Sequence, residues 1–167
     1  MKQRKKSAVS SASPARARMV QERSNDTYKT KAKLAEPTVC ATCGAVYRKG
    51  RWTWDPRPAD AAETTCPACQ RIRDRYPAGH LQLSGAFVMQ HRAEILGTAR
   101  NEETTEKAEH PLARIIAIED HGDGIEITTT DTHLARRIGE ALHHAFEGDL
   151  KFSYGEDEAL LRAEWRR

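Results

Sequence analysis

The chain has 167 residues, of which 38% are hydrophobic, 6% aromatic and 31% charged. That composition disfavours one large core and suits small folded units, which need a metal or disulfides to hold them. The net charge of +3 hides a split: residues 1–39 carry 10 Lys or Arg against 3 Asp or Glu, residues 40–85 carry 7 against 4, and residues 86–167 carry 10 against 17. A basic front joined to an acidic back predicts that only the front faces an anionic partner.

No run approaches the roughly 18 apolar residues that span a bilayer. The basic start Met1 to Lys6 leads into Ser, Ala and Arg instead of an apolar signal core, so a cytoplasmic protein without a membrane partner is expected. Residues 1–36 hold hardly any apolar side chain larger than Val. Burial there does not offset the entropy of ordering, and the segment reads as a disordered basic arm.

Residues 37–79, bounded by Pro37 and Pro77, contain all four cysteines in two Cys-x-x-Cys pairs, Cys40/Cys43 and Cys66/Cys69. Without an export signal, paired knuckles point to a metal in preference to disulfides. Tetrahedral Zn²⁺ takes two thiolates from each tight turn, and Gly44 stands where a left-handed backbone costs least. The 22 residues between Cys43 and Cys66, with Pro56 and Pro58, suit a loop between knuckles. A rubredoxin-like iron site uses similar knuckles. Four thiolates close the shell, so a structural role is expected over a catalytic one. The nearby cations Arg48, Lys49, Arg51, Arg71, Arg73 and Arg75 exceed what offsets the cluster's charge, which suggests a further anionic ligand.

Between the knuckles, Tyr47-Arg48-Lys49-Gly50-Arg51-Trp52-Thr53-Trp54 alternates cations with large aromatics. Such a loop can pair with phosphates and stack on unpaired bases. Equally, Trp52 and Trp54 can pack on the metal core while the cations stay solvated.

From Gly85, Phe87, His91, Ile95 and Ala99 recur at helical spacing, predicting a helix over about 86–108 that ends before Pro111. Ile115 to Ile118 and the alternating Ile125, Ile127 and Thr129 flank His121-Gly122-Asp123-Gly124 and predict a hairpin. Asp131 is an N-cap for an amphipathic helix with Leu134, Ile138, Leu142, Ala145 and Phe146 on one face, stopped by Gly148. Leu150, Phe152 and Tyr154, then Leu161, Ala163 and Trp165, predict a second hairpin around Gly155 to Glu158. Glu102, Glu103, Glu106 and Glu109 read as a solvated helix face, and the seven histidines as structural or exposed.

The fold class is therefore α+β: a small four-cysteine zinc-ribbon or treble-clef-like module over 37–79, then a small acidic α+β domain over 86–167. The paired knuckles, the helical segment after them, and Asp123-Gly124-Ile125-Glu126-Ile127-Thr128-Thr129-Thr130 leading into a helix with Ala135, Arg136 and Arg137 resemble the Nmd-three family of large-ribosomal-subunit adaptors, closest to its short bacterial zinc-ribbon relatives. The likeness covers about 40–147. Family members carry more than one knuckle pair and further domains, whereas this sequence holds four cysteines. The resemblance implies zinc ligation by Cys40, Cys43, Cys66 and Cys69, and association with the ribosome.

No Ser-His-Asp signature, phosphate loop, open metal site or small-molecule site is evident. The chain reads as a non-enzymatic zinc protein that contacts RNA or the ribosome through residues 1–36 and the Arg48 to Trp54 loop, with Arg71, Arg73 and Arg75 as further cations. The alternative is a protein adaptor with a purely structural zinc, whose partner docks on 86–167.

Overall fold

The computed structural model describes residues 27–28, 33–155 and 160–167, so most of the expected arm lies outside the described residues. The described part is a mixed α+β fold with two sheets and four helices. No helix among these residues is long and apolar enough to cross a membrane.

The first sheet is built from β1 (Thr38–Cys40), β2 (Val46–Arg48), β3 (Arg51–Thr53) and β4 (Ala62–Thr64), in the order β3-β2-β1-β4. Strand β1 pairs antiparallel with β2 and parallel with β4. The β2–β3 hairpin turns on Lys49 and Gly50, both at positive φ (52° and 76°), the two-residue connection whose twist matches its strands. Helix α1 (Pro67–Asp74) starts with Cys66 as N-cap and Pro67 in its first turn, and Arg75 closes it in the left-handed region at φ 48°. The loop over 51–65 is thus partly strand, since β3 and β4 occupy its two ends.

The second sheet holds β5 (Gly79–Ser84), β6 (Ile115–His121), β7 (Gly124–Thr129), β8 (Asp149–Tyr154) and β9 (Leu161–Arg166), in the order β6-β7-β5-β9-β8. Strand β5 is its centre, pairing antiparallel with β7 and parallel with β9. Its alternation of buried Leu81 and Leu83 with His80, Gln82 and Ser84 is a strand signal. The expected boundaries, 37–79 and 86–167, pass over it. Both expected hairpins form, β6 with β7 and β8 with β9.

The helix expected over 86–108 is two helices, α2 (Ala86–Gln90) and α3 (Arg92–Glu109). His91 leaves helical backbone at φ −113° and stacks on Phe87 with ring centroids 4.0 Å apart. The break gives two axes, so Val88 on α2 and Ile95 and Ala99 on α3 all reach the core. Helix α4 (Thr132–Phe146) begins as expected, with Asp131 accepting a 2.7 Å hydrogen bond from the Leu134 N–H. Gly79 lets α4 approach the sheet: a methyl group there would lie 2.4 Å from the Ala135 Cβ and 2.3 Å from the Thr129 Oγ1.

The helices cover one face, over a core that includes Leu81, Ile127, Ile138 and Trp165. The acidic run on α3 is not the solvated face expected for it. Glu106 is 8% exposed and pairs with Arg137 and His133, while Glu103 accepts from the Ile115 N–H at 2.8 Å. The basic residues of α4 and an unpaired strand N–H draw these carboxylates inward, which periodicity does not reveal.

Candidate metal centre

Two local structures place the four sulfurs. After β1 the chain turns through 41–43 into Gly44, whose φ is 79° and whose N–H bonds back to the Cys40 carbonyl at 2.8 Å. The opposite pair sits at the start of α1, where Cys66 caps the helix and Cys69 lies one turn along. The parallel pairing of β1 with β4, Cys40 beside Thr64, brings the knuckles together.

The sulfurs all lie within 4.8 Å of one another, and Cys43 Sγ is 3.8 Å from Cys66 Sγ. A tetrahedral ion with metal–sulfur bonds of about 2.3 Å needs sulfurs about 3.8 Å apart, so the donor set fits one metal ion. Three of the thiols are buried and Cys43 is half-buried.

Hydrogen bonds tune these thiols unequally. Burial raises the Cys40 thiol, but the backbone N–H groups of Cys66, Cys43 and Thr42 outweigh it and bring it down to about 6. Burial pushes Cys66 well up despite the N–H of Cys69. It also raises Cys69, against the Cys66 side chain and the Arg114 cation. A bound cation overrides such differences, because ligation takes the thiolate.

The cation that meets the sulfurs is Arg114, between Pro111 and β6. It is 8% exposed and donates through Nη1 to Cys69 Sγ at 3.3 Å and through Nε to the Pro111 carbonyl at 2.8 Å. Burial lowers its pKa, yet the neighbouring Cys43 and Cys69 more than compensate and hold it above its usual value. Its guanidinium lies 5.8 Å from the Trp54 ring centroid, and the Trp54 indole N–H donates to the Lys107 carbonyl at 2.6 Å. Leu112 also packs on the cysteine cluster. The cysteine module is thereby joined to the second sheet's unit through the cysteine cluster itself. The sequence signal for Arg114 was its place as the lone charge in the apolar run 111–118.

The cations and aromatics singled out in sequence separate into two groups. Trp52 is half-buried against the cysteines and tilts on Tyr47 at 5.4 Å, while Trp54 is 40% exposed but engaged with α3 and Arg114. Arg71 is buried, donates to the Tyr76 carbonyl, and lies over the rings of Tyr28 and Tyr76. Tyr28, inside the expected arm, also donates to Asp74 at 3.0 Å. Arg73 bonds to Asp74, and Arg75 lies 3.8 Å from Glu119. Arg48, Lys49 and Arg51 are exposed at the tip of the β2–β3 hairpin.

No family model matches the chain, and no curated protein and no solved structure matches it either.

Proposed function

We propose that the chain is a non-enzymatic zinc protein of treble-clef type that binds single-stranded RNA with its β2–β3 hairpin, zinc at Cys40, Cys43, Cys66 and Cys69 holding that hairpin rigid. Zinc suits four thiolates in a closed tetrahedral shell, and such a shell supplies folding free energy in place of an open coordination position. Treble-clef type rests on a knuckle, a hairpin and a helix whose first turn carries the second ligand pair.

One observation carries the RNA reading. Arg48 and Arg51 face each other directly across the hairpin, and no carboxylate among the described residues forms an ion pair with either. Like charges directly opposite destabilise a sheet, so an anion that bridges them is the natural partner. Lys49 between them sits at φ 52°, a conformation that Asn or Gly adopts more easily. The Lys49 N–H donates to the Glu36 carboxylate at 2.6 Å, which supports this turn and leaves the Lys49 side chain exposed at the tip. The resemblance to the Nmd-three family makes ribosomal RNA one of the strands to try.

A filter-binding titration of single-stranded RNA against salt tests this. Three phosphate contacts give log K against log salt a slope of about −2, from about −0.7 per contact. Lys49→Asn is expected to leave the hairpin as stable or more so while lowering affinity. Affinity that is undetectable at low salt ends the proposal.

A second reading, a protein adaptor, is favoured by the open face of the second sheet, where Glu119 stands opposite Glu126 and Glu164 lies beside Gln82. These carboxylates already have basic neighbours, Glu119 with Arg75, Glu126 with His80 and Glu164 across from Lys151, so a partner there would meet mixed charge. A pull-down must use a fragment that includes β5, because residues 86–167 alone lack the central strand.

A further inference from the structure

A groove of about 620 Å³ runs between the β2–β3 hairpin and the start of α4. One wall is Tyr47 and Trp52 with Arg51 at the rim, and the other is His110, Asp131 and His133. The volume falls in the range of small-ligand sites. We propose that this groove takes an unpaired nucleobase of the RNA strand, stacked along the Tyr47–Trp52 wall, with its amino edge toward Asp131 and its phosphate on Arg51 and His110. The inference rests on the RNA reading above and adds the base-recognition site.

The chemistry of the two walls is complementary to a nucleotide in a way neither is alone. The aromatic pair, 5.4 Å between centroids and inclined at 56°, supplies a π surface against which any base can lie. Arg51 leads out of the groove to Arg48 and Lys49, so a strand leaving the groove stays on exposed cations. Charge favours an anionic occupant further, since residues 1–39 carry 10 cations against 3 anions.

The opposite wall brings a carboxylate. Asp131 gives one oxygen to the Leu134 N–H as helix cap, and an ionised carboxylate retains further lone pairs after one such bond. A carboxylate accepts from the amino groups of cytosine or adenine and repels the carbonyl that uracil presents at the equivalent place. His133, whose side chain is 61% exposed and 3.4 Å from Glu106, and His110 flank it as donors. Its lining comes from both units, Tyr47 to Trp52 on one side and His110 to His133 on the other, so either unit alone lacks a wall.

The test is fluorescence anisotropy with labelled decamers of cytidine and uridine and the full zinc-loaded chain, comparing wild type with Tyr47→Ala, Asp131→Asn, His133→Ala and the distant Lys151→Ala. Tyr47→Ala is expected to weaken both decamers by about tenfold through lost stacking. Wild type is expected to prefer cytidine about fivefold, the worth of one hydrogen bond, and Asp131→Asn to erase the preference. Lys151→Ala, exposed on β8, should change nothing, and zinc content should equal wild type in every variant. RNA affinity that is undiminished in Tyr47→Ala and His133→Ala overturns the groove while leaving the hairpin reading intact. Absence of RNA affinity in wild type overturns both. A decalysine peptide that binds in an Asp131-dependent manner, unaffected by either decamer, also overturns the groove assignment and favours a protein partner.

Discussion

Replacing Arg114 by Ala tests whether the metal site and the junction of the two units are one structure. Four thiolates around a divalent ion carry a formal charge of −2, and Arg114 is the described cation that donates to one of them, at 3.3 Å. A unit charge pair at that distance gains roughly 5 kcal/mol at an effective dielectric constant of about 20. Withdrawing the guanidinium from water takes back several kcal/mol, in outline. The expected net loss is about tenfold to a hundredfold in zinc affinity, as for other outer partners of metal ligands, or about 1.4 to 2.8 kcal/mol. Arg114→Lys should fall between, because an ammonium keeps the charge but cannot reach Cys69 and the Pro111 carbonyl with one planar fork. Competition against a chromophoric chelator at fixed pH measures the affinity. Hydrogen exchange at Lys107 and its neighbours reports whether Trp54 has let go of α3. An Ala variant whose zinc affinity lies within twofold of wild type would refute the reasoning, and Arg114 would then be a packing residue only.

Cys66→Ser keeps a side chain able to cap α1 but removes a ligand. Metal content by elemental analysis should fall from one ion per chain to near none, with hydrogen-exchange protection lost over 38–74 and retained in β5, β7 and β9. Trp165→Ala removes a fully buried ring that meets Phe87 edge-on at 6.4 Å and donates to the Glu147 carbonyl. A loss of about 3 to 5 kcal/mol in urea denaturation is expected. Burial raises the Asp131 carboxyl above its ordinary value, against the helix-cap bond from Leu134 and the nearby His133 and His110. A raised folded-state pKa stabilises the fold below the ordinary aspartate value, near about 3.9, and that contribution is lost as pH rises through the folded-state value. Asp131→Asn, which caps equally well, should therefore have the higher urea midpoint at pH 7, with the gap closing as pH falls through the folded-state value and gone below about 3.9.

Much of this molecule was legible from local rules. Two Cys-x-x-Cys pairs name the four sulfurs that cluster, because that spacing in a turn or at a helix start aims both sulfurs one way, and Gly44 takes the left-handed backbone expected of it. Asp131, the alternation of Ile125 and Ile127, and the turn at 122–123 fix a hairpin followed by a helix for the same reason: each depends on neighbours within a few residues. What tertiary structure alone decided involves residues far apart in the chain. Strand β5 is central only because β7 and β9, some 45 and 80 residues later, come to lie on either side of it. Glu106 is buried because α4 brings Arg137 to it, and Arg114 meets Cys69 across 45 residues of sequence. Charges such as these look like solvated surface in a linear pattern. Their partners are chosen by the packing of whole elements, where removing a charge from water is compensated only if an opposite charge arrives from elsewhere in the chain.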